Sequence, residues 1–324
     1  MNAQNSLLSA ARWRVLEVIF WLLAFAAPWL LAQHSLIINE IAIVALFAVS
    51  LDLVLGYTGI VSLGHAAFLG FGAYSAALFA KHIHPDPLLG LCVGMAAATL
   101  LGGLCSLSIM RGSDLTRLMV TLGTALILLE LANKYSDLTG GADGLQGVIM
   151  GPLLGHFEFD LMGQVSAWYS LSILLVMFVL ARRLVHAPLG ATLKAVRDNR
   201  LRAMAIGIPV AARLAVVYTL SAGIAGAAGA LMAQTTGFAS LDVFALDRSA
   251  DVMLMLAIGG VGWLYGGIVG AVAFKLMYDV IANITPQYWT FWIGLFLVVL
   301  VMVGRDRLIR PWTWFSATRS EGST

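Results

Sequence analysis

Apolar residues run along this chain in long blocks separated by short polar stretches. The blocks fall at roughly 14–33, 36–55, 62–80, 87–110, 115–133, 166–182, 213–234, 250–264, 267–284 and 288–304. An apolar helix needs about 20 residues to cross about 30 Å of hydrocarbon. The pattern therefore predicts an all-α protein, a polytopic membrane helical bundle of about ten transmembrane or half-membrane segments. Glycines interrupt the third segment, and the eighth is short with a Gly-rich end. Both read as broken or half-crossing helices. Irregular backbone at membrane depth is tolerated only where protein or a water-filled cavity surrounds it. Arg12 and Arg14 precede the first block, as they would precede a signal core. Its length and its Pro28-Trp29 pair favour a retained span.

Composition strengthens the membrane reading. The chain has 324 residues, 60% of them hydrophobic and only 11% charged, against an apolar share nearer half in soluble domains. A net charge of +2 is too small to argue for nucleic acid. Cys92 and Cys105 share one predicted helix, which separates them by about 20 Å. That distance excludes a disulfide, and the two read as small buried hydrophobes. No CxxC or clustered Cys/His pattern suggests a metal.

Charge orients the segments. With the 186–212 loop in the cytoplasm, only Lys81, Lys134 and Arg248 of the 19 basic residues fall outside, and Lys275 lies within a span. This is the positive-inside bias. It predicts cytoplasmic termini, a single transmembrane domain over 1–310 and a short cytoplasmic tail at 311–324. Two loops, 134–165 and 235–248, face outward, and neither is long enough to be a domain. No GxxxxGK[ST] occurs, so the chain carries no P-loop ATPase of its own.

The cytoplasmic loop is unusual. Lys194, Arg197, Asp198, Arg200 and Arg202 crowd together between Pro188 and Pro209. Asp198-Asn199 suits a helix start. Leu201, Met204, Ala205 and Ile208 recur at helical spacing and form one apolar face. Gly207 and Pro209 then end the helix. Such an element either lies on anionic lipid or fills a groove on another protein.

Four stretches carry a resemblance. The basic loop, with its short helix, turn, Ala-rich helix, Gly and Ile-Pro, resembles the coupling loop of ABC-importer permeases. Gly56-Tyr57-Thr58-Gly59-Ile60-Val61-Ser62-Leu63-Gly64-His65-Ala66-Ala67-Phe68 resembles the signature of the branched-chain amino-acid ABC transporter permeases of the LivH/LivM type. Thr139-Gly140-Gly141-Ala142-Asp143-Gly144-Leu145 is similar to a second motif of that family, and Gly259-Gly260-Val261-Gly262 with Gly266 and Gly270 to a third. The second motif and the Arg-rich 182–213 region favour the M-type subunit. The Ala-rich helix reads Arg202-Ala203-Met204-Ala205, where family loops often carry an acidic residue.

The resemblance implies a permease subunit without enzymatic activity in a bacterial inner membrane. It implies two cytoplasmic ATPases that use the ATP, a second permease chain that is homologous but different, and an extracytoplasmic substrate-binding protein. It implies no cofactor on this chain, and ATPase coupling through Lys194, Arg197, Asp198, Leu201, Met204, Ala205, Gly207 and Ile208. The substrate is left open among branched-chain amino acids, urea, amides and small aromatic acids. An ion-coupled secondary transporter is the rival, but it offers no reason for the basic helix.

Candidate pathway residues are Asp52, Gly56, Tyr57, Gly59, Ser62, Gly64 and His65. A charge inside a span is costly, so Asp52 reads either as pathway or as a structural pairing. His65 reads either as a functional group or as a hydrogen-bonding partner for a broken helix. The glycines permit helix breaks whose free N–H and C=O groups suit a zwitterion. Gly140, Gly141 and Asp143 either meet the binding protein or only shape a turn. Glu130 and Asp251, near outer span ends, receive no role. The Gly223/226/229 and Gly262/266/270 series read as packing faces.

Overall fold

The computed structural model of the protein describes residues 14–284 apart from 111, 113 and 161, together with scattered residues between 288 and 298. Eleven helices matter here. They are α1 (Val15–Leu30), α2 (Ser35–Thr58), α3 (Ala66–His82), α4 (Pro87–Ile109), α5 (Asp114–Lys134), α6 (Gln164–His186), α7 (Pro188–Asp198), α8 (Arg200–Ala205), α9 (Val210–Thr236), α10 (Leu246–Gly259) and α11 (Leu264–Ile284). Among the described residues there are no strands, only isolated bridges such as Leu145 with Ala239. Among the described residues, six helices are long and apolar enough to cross a membrane, namely those containing α2, α4, α5, α6, α9 and α11. The helices α1, α3 and α10 are shorter, with 16, 17 and 14 residues. The predicted segment at 288–304 and the tail at 311–324 lie largely or wholly outside the described residues.

Two compact units divide the chain at Ala271 and Val272, within α11. In the second, the Lys275 ammonium lies 4.8 Å from the centre of the Tyr278 ring.

Local chemistry sets the helix ends. Asp86 accepts from the N–H groups of Leu88 and Leu89 at 2.8 and 3.0 Å, with Pro87 at the first helical position of α4. This capping satisfies orphan donors while the proline's missing N–H costs nothing. Asn199 caps α8 by accepting from Arg202 at 2.9 Å.

The long helix α9 runs through the centre. It packs on α3 and α4 on one side and on α2 on another. Lipid tails are as apolar as leucine, so close backbone contact replaces the hydrophobic effect as the packing force. A β-carbon built at Gly229 would strike the Leu69 carbonyl, one at Gly226 the Ala98 side chain, and one at Gly70 the Phe244 ring. The Gly223/226/229 series is thus a packing face. The second series is not uniform. Gly266 and Gly270 pack against the backbone of α10, but Gly262 has φ +80° and forms a turn between α10 and α11. Cys92, expected to be buried, is exposed, and both cysteines are free.

Polar contacts tie the two ends of the unit. At one end the Arg182 guanidinium pairs with Glu17, Arg117 donates to the Ile109 carbonyl at 3.1 Å, and Arg200 donates to that of Met110 at 3.4 Å. At the other, Ser170 donates to Asn39 at 2.6 Å and Tyr169 to Gln234 at 3.0 Å. The basic residues of α6, α7 and α8 gather at the first end.

Adding one methyl group separates tight from open positions. Gly229→Ala should destabilise the protein by about 1–3 kcal/mol through overpacking. Gly123→Ala, with nothing within 4 Å of the new carbon, should be neutral or stabilise by up to about 1 kcal/mol through helix propensity. Thermal unfolding of the detergent-purified protein measures both, and equal shifts would contradict the packing account.

Candidate functional site

The helix α2 stops at Thr58 because Gly59 takes the left-handed conformation, φ +74°. The last carbonyls of a helix have no intrahelical partner. Those of Val54 and Leu55 are taken by the N–H groups of Ile60 and Gly59. The Gly56 carbonyl is taken by the Arg197 guanidinium, which reaches it from α7. A cation at a helix C-terminus also meets the negative end of the dipole. One turn earlier, Asp52 is fully buried. Its Oδ1 accepts from the Gly262 N–H at 2.7 Å, across 210 residues of sequence. Gly56 lies between these contacts, and a β-carbon there would strike the Asp52 carboxylate and the Gly262 backbone. The Lys194 ammonium lies 5.6 Å from the centre of the Tyr57 ring. Two of the three glycine motifs therefore meet the basic loop at this end of α2.

Residues Gly59 to His65 are unwound, and α3 starts at Ala66. The first N–H of α3 is not left orphaned: that of Ala66 donates to Ser249 of α10 at 3.0 Å. Gly64 lies against the Thr121 backbone of α5, too close for any side chain. Ser62 and His65 are fully buried. The His65 ring stacks on Phe47, with centroids 5.5 Å apart, and meets Phe68 edge-on at 5.6 Å. Its Nε2 is 2.9 Å from the Ser50 hydroxyl and 3.5 Å from that of Ser221. Hydrogen counting assigns the tautomer. The Ser50 hydroxyl donates to the Phe47 carbonyl at 2.6 Å and Ser221 to the Ser50 carbonyl at 2.5 Å. Both hydroxyl protons are used, so Nε2 carries the proton and Nδ1 is the bare nitrogen.

The basic loop has two faces. On α7, Leu193 and Val196 are buried, and Gly190 lies against the Val185 carbonyl. On α8, Leu201 is 76% and Met204 46% exposed. Ala205, Gly207 and Asp198 are exposed, and Ile208 is half-buried. The helix has only six residues, and Ile206, which follows it, is 70% exposed. Gly207 has φ +85° and ends the element.

The remaining motif sits at the opposite end. Gly140 and Gly141 both have positive φ, and the Thr139 hydroxyl donates to the Ala132 carbonyl at 2.5 Å. Leu145 bridges to Ala239. Asp143 is exposed on this turn. The structure thus brings Asp52, Gly56, Tyr57 and Arg197 together, sets Ser62, Gly64 and His65 in the unwound stretch beside them, and leaves Gly140, Gly141 and Asp143 apart. Sequence reading missed Ser50, Ser221 and Ser249, three buried hydroxyls in apolar helices. Ser50 and Ser221 are polar residues inside apolar blocks, which is the available signal; Ser249 lies in a polar stretch just before one and carries no such signal.

The family described as "Branched-chain amino acid transport system / permease component" matches residues 33–303. The chain belongs to that family. It is 27% identical to the high-affinity branched-chain amino acid transport system permease protein LivM of Salmonella typhimurium, over 94% of this chain and 76% of the relative. It is 26% identical to the protein of the same name from Escherichia coli, with the same coverage. No solved structure matches. The permease is a multi-pass membrane protein, and its glycine turns and polar helix ends sit within that bundle.

The Asp52–Gly262 contact of this permease is testable. Asp52→Leu should lower stability by roughly 1–3 kcal/mol, the cost of a buried N–H left without an acceptor. Asp52→Asn keeps an acceptor oxygen and should lose clearly less. Thermal unfolding in detergent compares the two, and equal losses would mean that the hydrogen bond is not what Asp52 supplies.

Proposed function

We propose that the protein is the membrane-spanning subunit of an ATP-driven importer for branched-chain or other hydrophobic amino acids. It sits in a bacterial inner membrane with both termini in the cytoplasm. Two cytoplasmic ATPases power it, a homologous but different chain is its companion permease, and an extracytoplasmic binding protein delivers substrate. The chain itself holds no cofactor and performs no hydrolysis.

One observation carries this reading. The α7–α8 element grips the bundle with one side and leaves apolar side chains bare on the other. Leu193, Val196 and the Arg197 contact to Gly56 fix α7 against α2. Leu201, Met204 and Ile206 extend outward. A partner that binds those side chains holds a lever whose short arm is the end of α2. Movement of α7 acts on Gly56, and through Asp52 on the turn at Gly262. Coupling then travels through packed, hydrogen-bonded contacts between two arrangements of the bundle. The unwound 59–65 stretch lets α2 and α3 tilt separately. Asp52, Gly56, Tyr57, Gly59, Ser62, Gly64 and His65 belong to this moving layer. Gly140, Gly141 and Asp143 offer the binding protein a rigid turn at the far end.

The printed names of the two relatives support a branched-chain amino acid as substrate. The similarity is to permeases of a transport system, which fits a chain that lacks its own nucleotide site.

Co-expression with the candidate ATPases provides the test. Leu201→Asp with Met204→Asp should abolish co-purification while changing the melting temperature little, because Leu201 is 76% and Met204 46% exposed. Retained ATPase binding would remove the lever. Leucine uptake that persists in vesicles without any ATPase would make the protein an ion-coupled secondary transporter instead.

A further inference from the structure

At the end of the unit opposite Arg197, the helices α2, α9 and α10 enclose a cavity of about 270 Å³. Pockets for drug-sized ligands occupy about 300–1,000 Å³, so this one suits a smaller molecule. Its wall is apolar on one side, with Ile43, Val44 and Phe47 of α2 facing Val252 and Met255 of α10. Its rim is charged with both signs. Glu40 stands on α2, and Arg248 and Asp251 on α10.

The charges are placed for a zwitterion. Arg248 and Asp251 are three residues apart on one helix, which sets their β-carbons about 5–6 Å apart on one face. The Arg248 charge acts on Asp251 through space, but its salt bridge is made elsewhere. Arg248 instead spends Nε and Nη2 on Asp242, at 3.2 and 2.5 Å. That bridge fixes the guanidinium and leaves Nη1 to donate. Asp251 is half-buried. An α-amino acid carries an ammonium and a carboxylate on one carbon, and away from bulk water each needs an opposite charge. An amino acid with an apolar side chain would also cover the Ile43, Val44 and Phe47 wall.

The floor leads onward. Phe47 lines the cavity, and its ring stacks on His65. Beneath it lie the hydroxyls of Ser50 and Ser221. One aromatic ring separates the cavity from the buried polar layer.

We propose that this cavity is the entry subsite of the permease for a free amino acid with an apolar side chain. The ammonium is held by Asp251, the carboxylate by Arg248, and the side chain by the α2 wall. This rests on the import function proposed above.

The test uses the whole importer in vesicles, with its companion permease, ATPases and binding protein, and radiolabelled L-leucine as probe. Asp251→Asn and Arg248→Gln should each cut leucine uptake at least about tenfold, as expected for loss of one charged hydrogen-bonding partner. Val44→Trp, which fills the apolar wall, should cut leucine uptake more than alanine uptake. In the unmodified complex, a diazirine analogue of leucine should label residues within 40–47 or 248–255, a readout independent of variant folding. Wild-type uptake in all three variants, or labelling confined to other segments, overturns the subsite and leaves the import function standing. A wild-type complex that takes up no apolar amino acid removes the import function itself.

Discussion

A helix that ends inside a bundle exposes backbone groups with no water to satisfy them. The end of α2 is governed by that constraint. The Val54 and Leu55 carbonyls find partners in the turn itself, but the Gly56 carbonyl and the facing turn at Gly262 take theirs from far away in sequence. Arg197 brings a cation to Gly56, and Asp52 brings an anion to the Gly262 N–H. Each charge is placed where a backbone dipole wants it. Burying a carboxylate costs several kcal/mol unless it is paired and hydrogen-bonded; the Gly262 contact serves Oδ1 and offsets part of that cost. The result joins α2, α7 and the α10–α11 turn into one mechanical unit.

The rest of the bundle is arranged so that this unit has something rigid to work against. The central helix α9 is lined with glycine and alanine, and its neighbours approach it backbone to backbone. Hydrogen-bonded side chains clasp the far end, where Tyr169, Gln234 and Pro87 connect α6, α9 and α4. Between these two ties lies the unwound segment before α3. Ser50 and Ser221 meet the His65 Nε2, and Ser249 takes the first N–H of α3, so the segment is a built break rather than a frayed helix.

Much of this was legible in the chain. Membrane spans announce themselves because lipid imposes both length and composition, and the bounds of α2, α4, α6 and α9 followed the apolar blocks closely. The break near Gly59 and the short helix α10 were also visible, since glycine clusters interrupt the blocks there. The contacts across sequence were not. Gly262 sits four residues from Gly266, which looks like a packing repeat, yet its partner is an aspartate 210 residues earlier. Asp251 looked like an easily solvated end residue. Only folding sets it beside Arg248 on a cavity whose far wall is α2. Ile206 follows the last residue of α8, so helical spacing gave no reason to count it with Leu201 and Met204.

The close approaches at the glycines of α3 and α9 leave unequal room for evolutionary repair. Glycine is the smallest residue, so drift at these positions can only enlarge them, and a suppressor must shrink the neighbour. At Gly70 the obstacle is the Phe244 ring, which a smaller residue could replace. At Gly229 it is the carbonyl oxygen of Leu69, which every residue possesses. No second-site trimming can relieve that clash, so the first position can wander with its neighbour while the second is locked.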